Sequence, residues 1–137
     1  MAEDDGGTKK PPGASDAAIQ LLVDTIAIEL PNAYVGLLKV TNGGEGPLAR
    51  QPYHLQLDSA ETVTATAMSG HHEEFFPGFL IIGSSGGGEF VAFDAREPGS
   101  LPVVALDMTN INLKESVMHI ASDCEAFIEL IGIETAD

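Results

Sequence analysis

The sequence is short of cysteine, tryptophan and basic residues, and two of these shortages exclude whole classes of protein. A single cysteine, Cys124, leaves no partner for an internal disulfide and too few thiolates for a cysteine-rich zinc site. Only 6 lysine and arginine residues stand against 21 aspartate and glutamate residues, which gives a formal charge of -15. Binding to nucleic acid and docking on an anionic membrane both need clustered cations, so the composition argues against both.

Long apolar runs are also missing. No stretch approaches the ~20 apolar residues that a membrane-spanning helix needs, and the acidic first residues do not resemble a signal peptide. We therefore expect a cytoplasmic location, with which one lone cysteine is consistent. The chain of 137 residues, 44% of them hydrophobic, is long enough for one globular domain with its own core.

The N-terminal part of the chain predicts an arm followed by two helices. Glycine, proline and charge dominate residues 1–14, which predicts a flexible arm before a single domain over 15–137. Apolar residues at helical spacing then follow a capping Ser15 or Asp16 and continue to Leu30. A second helix is expected from Pro31 to the cap formed by Asn42, Gly43 and Gly44. We expect the two helices to meet at a sharp corner at Pro31.

The remaining sequence alternates between strand and helix signals. Residues 53–57 predict a half-buried strand, and a third helix is expected to begin at Asp58 or Ser59. The runs 79–82 and 90–94 predict two strands joined by a wide glycine-rich turn, with further strands at 101–106 and 117–120. A closing helix is expected from a capping box of Ser122 and Glu125. Consecutive strands favour an α+β fold with a central, mainly antiparallel sheet flanked by helices.

Two tracts could indicate a ligand site, but each has a simpler interpretation. The glycine-rich tract 83–88 lacks the lysine of a phosphate-binding loop and precedes a strand instead of a helix, which favours a plain turn. The tract His71-His72-Glu73-Glu74 could attract a metal ion, but adjacent histidines point in different directions, which favours a polar loop. We therefore predict no cofactor and no metal site.

No set of residues with the spacing of a catalytic centre stands out. Ser84 and Ser85 lie in the glycine-rich tract without the turn that exposes a nucleophilic serine. Cys124 lies between Asp123 and Glu125, which oppose a thiolate, so burial as a small apolar residue is favoured. We predict a protein that is not an enzyme.

Three blocks of the sequence resemble the SUKH superfamily of immunity proteins, which also contains fungal cell-wall-assembly regulators. The first block, from Leu30 to Glu45, reads L-P-x-x-Y-x-x-L-L and then N-G-G-E. The second, from Ile82 to Asp94, contains I-G-x-x-G-G-G-E-F. The third, from Ile120 to Ile128, is similar to the closing helix of the family, although Cys124 stands where the pattern usually has phenylalanine. The resemblance covers residues 16 to 131.

The resemblance implies both a fold and a role. It implies an α+β fold with a central antiparallel sheet, and bacterial members that bind and neutralise a cognate toxin domain, often a nuclease, without being enzymes. It also implies that the motif residues are structural. Pro31 would form the helix corner, Tyr34 and Phe127 would pack in the core, and the glycines would shape turns at Gly43, Gly44, Gly83, Gly86 and Gly87.

Charge and resemblance together lead to a function prediction. A strongly acidic protein can cover the basic surface of a nuclease-like toxin and associate with it rapidly. Acidic residues expected at the interface are Glu45, Asp58, Glu73, Glu74, Glu89 and Asp94. Phe75 and Phe76 could be apolar anchors or core residues, and Asp94 could instead cap a turn. Two alternatives stay open: a regulatory protein–protein interaction module, and a small-ligand or metal-binding domain.

Overall fold

A computed structural model describes residues 12–26, 28–49, 51–70, 74, 76–97, 99, 101–110 and 112–131. The helices are α1 (Asp16–Thr25), α2 (Asn32–Val40), α3 (Ala60–Ser69), α4 (Leu113–Ser116) and α5 (Cys124–Ile128). The strands are β1 (Gly44–Pro47), β2 (His54–Leu57), β3 (Phe79–Ser84), β4 (Glu89–Asp94), β5 (Val103–Asp107) and β6 (Val117–Ala121).

The six strands form one sheet in which every strand pairs with its neighbour in the sequence. The order is β1-β2-β3-β4-β5-β6, and each of the five pairings is antiparallel. The predicted α+β fold with a central antiparallel sheet is therefore confirmed. The predicted hairpin with a glycine-rich turn is also confirmed, since β3 and β4 pair on either side of residues 85–88.

The larger apolar cluster lies between the helices and one face of the sheet. Tyr34 of α2 and Phe127 of α5 are both completely buried, as the resemblance implied. The Tyr34 ring packs edge-on against Phe93 of β4, with 5.2 Å between ring centroids. Residues that alternate along the strands reach this cluster, as the strand period of two requires. They include Leu55, Leu57, Ile82, Val91, Val103 and Ala105.

A smaller cluster covers the middle of the opposite face. Its buried members are Phe76, Phe79, Ile81, Ala92, Val104 and Leu106. Phe76 precedes β3 and packs edge-on against Phe90, with ring centroids 5.9 Å apart. Because central strands carry apolar side chains toward both clusters, the runs at 79–82 and 103–106 are nearly continuously apolar.

The predicted sharp corner at Pro31 was wrong. Helix α1 ends at Thr25, Ile26 is already extended, and the described residues 26 and 28–31 lie outside both helices. Pro31 is the N-cap residue of α2 and lies outside its first turn. The apolar spacing was misleading because it counted Leu30 as part of α1. Leu30 belongs to the connection after α1, although its side chain is buried in the same cluster as those of the helix.

Caps and strand limits differ from the sequence prediction at three further places. Helix α2 ends at Val40 with Thr41 as its C-cap, and Gly44 belongs to β1, a strand that its G-E-G-P sequence does not indicate. The N-cap of α5 is Asp123, which accepts a hydrogen bond from the N–H of Ala126, and not Ser122. Of the two candidates for the N-cap of α3, Ser59 takes the position.

Residues 12–14 belong to the domain, although the sequence assigned them to the arm. The N–H of Ala14 donates to the carbonyl of Leu38 at 2.7 Å, and Pro12 accepts from the N–H of Asn42 at 2.9 Å. Gly13 lies so close to the backbone of Lys39 that a side chain would collide with it. The domain therefore includes residues 12–14, which precede the boundary predicted after residue 14. The rest of the predicted arm, 1–11, lies outside the described residues.

Candidate functional site

Three chain connections lie at one end of the sheet, because antiparallel strands reverse direction at each connection. They join β1 to β2, β3 to β4 and β5 to α4. We call this surface the glycine-loop end. Its described residues are 48, 49, 51–53, 85–88, 108–110 and 112, with the strand residues Glu45, His54, Gln56, Glu89 and Asp107.

The glycine-rich loop is closed by its own hydrogen bonds. The buried Ser85 Oγ accepts from the N–H groups of Gly87 and Glu89, at 3.0 and 3.3 Å. The same hydroxyl donates to Glu89 Oε1 at 2.6 Å. These two amides donate to a hydroxyl of the loop itself, which lies beside the Glu89 carboxylate, and they are therefore not directed at a bound phosphate. The geometry therefore favours the plain turn over a phosphate-binding loop.

Two carboxylates lie opposite each other at this end. Glu89 of β4 and Asp107 of β5 are register partners in the sheet. Asp107 Oδ1 accepts from the N–H and the hydroxyl of Thr109 at 2.9 and 2.8 Å, which lowers the pKa of that carboxyl. Directly opposed like charges destabilise a sheet. No lysine or arginine side chain described at the glycine-loop end offsets this pair.

A polar row continues from this end across β1, β2 and β3. Gln56 donates from Nε2 to Glu45 Oε1 at 3.2 Å and accepts from the Ser84 hydroxyl at 3.3 Å. The register Glu45–Gln56–Ser84 places the row on the face opposite the helices, because Leu55 and Leu57 point into the helix-facing cluster. Ser84 pairs with Phe90 of the smaller cluster, so the adjacent Glu89 and its partner Asp107 point to the helix-facing side. Glu45 therefore lies at the same end of the sheet as Glu89 and Asp107 but on its opposite face.

The other predicted acids lie elsewhere or have a different role. Asp94 forms a two-pronged ion pair with Arg96, at 2.9 and 2.8 Å, and this pair lowers the pKa of the Asp94 carboxyl. Asp94 also accepts from the N–H of Arg96, which is the predicted turn cap. Asp58 is half-buried, and burial raises the pKa of its carboxyl. A neutralised and a half-buried acid contribute little to an open anionic surface.

The segment before β3 divides between exposed, buried and undescribed residues. Glu74 is exposed. Phe76 was predicted either as an apolar anchor for a partner or as a core residue. It is only 3% exposed and lies in the core, so it cannot anchor a partner on the surface. Glu73 and Phe75, like His71 and His72 of the predicted metal tract, lie outside the described residues.

The glycines of the motif do more than shape turns. Gly83 lies within β3, and a side chain there would collide with the carbonyl oxygen of Gln56 on the neighbouring strand. Gly43 has a φ of 93°, and a Cβ on it would lie 2.8 Å from the carbonyl oxygen of Leu57. Close approach of two backbones is thus the requirement at both positions. Gly86 and Gly87 do lie in the turn between β3 and β4.

The described residues offer no metal cluster and no reactive thiol. No group of three or more His, Cys, Asp or Glu side chains among them is placed to hold a metal ion. Cys124 is buried as predicted, and burial raises the pKa of its thiol to about 12. A cleft of about 430 Å³ lies between α3, β3 and the connection after α1, and its described lining contains no titratable side chain. Within the described ranges, no helix is long and apolar enough to cross a membrane.

Comparison with known families agrees with this architecture. The family model of the SMI1 / KNR4 family (SUKH-1) matches residues 13–130. The chain belongs to the SMI1 / KNR4 family. The match begins at Gly13, beside the first described residue, and ends within the turn after α5. A search of curated proteins finds no significant match.

Membership of the SMI1 / KNR4 family places the chain among immunity-type or regulatory proteins. Of the motif residues by which the sequence resembled this family, Tyr34 and Phe127 are buried, and Gly43 and Gly83 allow two backbones to approach closely. The glycine-loop end adds two residues that the sequence did not single out as interface residues, Asp107 and Tyr53. Asp107 could be selected only with the strand register known. The sequence predicted Tyr53 as the first residue of a half-buried strand, on its apolar side, whereas β2 begins at His54 and Tyr53 is half-exposed.

Proposed function

We propose that this chain is a non-enzymatic immunity protein that binds and neutralises a cognate toxin domain, a nuclease with a basic surface. Membership of a family of immunity-type and regulatory proteins supports this proposal. The net charge of -15 supports a partner of opposite sign, because a strong negative field accelerates encounter with a basic protein and disfavours acidic ones.

The opposed carboxylates of Glu89 and Asp107 carry the proposal. Their register places two negative charges side by side, which costs stability in the free protein. A cation from a partner, placed between them, would convert that repulsion into attraction. Hydrogen bonds from Ser85 and Thr109 hold one oxygen of each carboxylate in place, so little side-chain freedom is lost when a partner binds.

The mechanism of neutralisation is steric exclusion directed by charge. A nuclease holds its substrate with lysine and arginine side chains. Glu89 and Asp107 would pair with those cations, Glu45 would do so from the other face of the same sheet end, and the glycine-rich loop between β3 and β4 would block the approach of nucleic acid. Glu74 is exposed and stays a peripheral candidate. No bond is made or broken in this mechanism.

Growth rescue tests the proposal. The gene neighbourhood is searched for a toxin domain, and each candidate is expressed in a host cell with and without this chain while growth and nuclease activity are measured. We expect growth and a loss of nuclease activity when both are present. A complex that forms without inhibition would favour the regulatory interaction module, and the absence of both complex and rescue would remove the proposal.

Charge variants test where the partner binds. Replacing Glu89 and Asp107 by Gln and Asn keeps the acceptors for Ser85 and Thr109 but removes both charges. We expect association with the toxin domain to slow by about two- to tenfold at low salt and the difference to shrink as salt is added. Asp16→Asn with Asp24→Asn on the exposed side of α1 removes the same charge and is the matched control. Equal slowing by both double variants would show that only net charge matters.

A further inference from the structure

Strand β3 is paired on both sides along only part of its length. Strand β2 pairs with it at residues 83 and 84, and the last contact is the N–H of Asp58, which donates to the carbonyl of Ile82 at 2.9 Å. Beyond Asp58 the chain leaves the sheet and enters α3. Residues 79–81 of β3 therefore pair with β4 on one side and with no described strand on the other.

The hydrogen bonds between β3 and β4 show which backbone groups face this open edge. The N–H of Ala95 donates to the carbonyl of Gly78 at 2.8 Å, so these two residues form a hydrogen-bonded pair at the start of the ladder. Such pairs alternate with non-hydrogen-bonded ones along an antiparallel ladder. Leu80 therefore belongs to the next hydrogen-bonded pair, and the backbone groups of Phe79 and Ile81 point away from β4.

Three of these backbone groups have no hydrogen-bond partner among the described residues. The N–H of Phe79 donates to the carbonyl of Phe76 at 3.3 Å, whereas the carbonyl of Phe79 and both backbone groups of Ile81 are unpaired. Ile81 is only 4% exposed, and buried backbone groups without a partner are costly. An N–H group flanked by two carbonyls on a strand edge matches the backbone of one more strand.

The open edge faces a cleft that accommodates a side chain. Phe79 and Ile81 line the cleft of about 430 Å³ described above, which we call the β3-edge cleft. Its opposite wall includes Ile26 and Ile28 of the connection after α1, and Ala67 of α3. An extended segment paired with β3 would therefore place an apolar side chain against this wall.

A neighbouring cleft adds negative charge. This cleft, of about 520 Å³, adjoins the β3-edge cleft because Ile28 lines both. Its described lining contains Glu29 and Glu97 and no lysine or arginine. Arg96, which precedes Glu97, is already paired with Asp94 at 2.8 Å. In a chain with a net charge of -15, this arrangement favours a basic side chain in the occupant.

We propose that the β3-edge cleft binds an extended segment of a protein partner as an added strand, with an apolar side chain against α3 and a basic one near Glu29 and Glu97. One residue of that segment would exchange two hydrogen bonds with Ile81, and the residue two positions away would donate to the carbonyl of Phe79. This surface lies at the end of the sheet opposite the glycine-loop end, and its proposal does not depend on the proposed toxin surface.

A pair of peptides tests strand addition directly. Capped Lys-Val-Thr-Val-Lys is titrated into the full chain, and amide chemical shifts give the dissociation constant. The matched peptide carries methyl groups on its three central backbone nitrogens, which keeps every side chain and charge but removes the N–H donors. We expect the methylated peptide to bind at least about tenfold more weakly, as expected when a backbone hydrogen bond is lost. Saturation with the unmethylated peptide should slow hydrogen exchange of the Ile81 amide at least about tenfold.

Variants of the chain test the two walls. Ala67→Leu narrows the β3-edge cleft and should weaken the unmethylated peptide by about fivefold or more, whereas Ala65→Leu, on the exposed side of the same helix, is the matched control and should leave binding unchanged. Glu29→Gln with Glu97→Gln should weaken the peptide about two- to fivefold, as exposed ion pairs provide.

Three outcomes would overturn the proposal. Equal binding of the two peptides would show that backbone pairing plays no part, and undetectable binding of both would remove the site. An Ile81 amide that exchanges as slowly without the peptide as with it would show that a segment of this chain or a second copy already covers the edge. Growth rescue is measured separately, so this proposal and the proposed function can each fail alone.

Discussion

Asn42 joins the end of the first family motif to the start of α3. Its Oδ1 accepts from the N–H of Ala60 at 2.7 Å, and its Nδ2 donates to Glu61 Oε1 at 2.9 Å. The N–H of Ala60 belongs to the first helical turn, which has no partner within the helix. The residue that the sequence suggested as the end of one helix therefore stabilises the beginning of another.

Replacing Asn42 by alanine should cost about 1–2 kcal/mol of unfolding free energy, because it leaves a part-buried N–H without its partner. Urea denaturation followed by circular dichroism measures the loss. Asn32→Ala, at the exposed first residue of α2, is the matched control and should change stability by less than about 0.5 kcal/mol. Equal losses in the two variants would show that Asn42 does not act through α3.

Two glycine-to-alanine changes should have opposite signs. Gly83→Ala places a methyl group against the Gln56 carbonyl and should destabilise the protein by about 3 kcal/mol or more. Gly36→Ala, in α2, meets nothing within 4 Å and should stabilise it by about 0.5–1 kcal/mol. Thermal or urea unfolding of both variants tests this. A tolerated Gly83→Ala would mean that β2 and β3 are less closely paired.

Asp58 and Asp94 should affect the pH dependence of stability in opposite directions. Burial raises the pKa of the Asp58 carboxyl in the folded protein. The contribution of Asp58 to the free energy of unfolding is therefore greatest below the ordinary carboxyl pKa, and it is lost as pH rises through the raised folded value. Arg96 lowers the pKa of Asp94, so that contribution is present at neutral pH and is lost as pH falls.

Unfolding of the two asparagine variants measures this, for Asp58→Asn at about pH 4 and about pH 7 and for Asp94→Asn at about pH 2 and about pH 7, because the Asp94 contribution is lost only below the ordinary carboxyl pKa. Relative to the unmodified chain, Asp58→Asn should be more favourable at the higher pH. Asp94→Asn should be less favourable there, because the ion pair is then intact in the unmodified chain. The same pH trend in both variants would contradict the assigned environments.

Cys124 should be chemically inert in the folded protein. Its side chain is buried, and with a pKa of about 12 the thiolate is scarce at pH 8. We expect a thiol reagent to react about a thousandfold more slowly than with free cysteine, and at the ordinary rate in denaturant. Rapid modification without unfolding would show that α5 opens readily.

Local signals in the sequence were sufficient where a short segment determines its own structure. The hairpin around the glycine-rich turn, the helix starting after Ser59 and the burial of Tyr34 and Phe127 were all predicted from patterns a few residues long. Errors arose where distant contacts decide. Leu30 continues a helical apolar pattern from outside the helix, and Gly44 enters a strand because β2 lies beside it.

By itself the sequence determined the sign and size of the charge, the fold class and the family motifs, because these depend on composition and local order. Only the tertiary structure decided which acids lie side by side. It separated Asp94 by pairing it with Arg96, placed Phe76 in the core and set Asp107 opposite Glu89. The physical reason is strand register: residues far apart in the chain become neighbours only when the hydrogen bonds of the sheet align them.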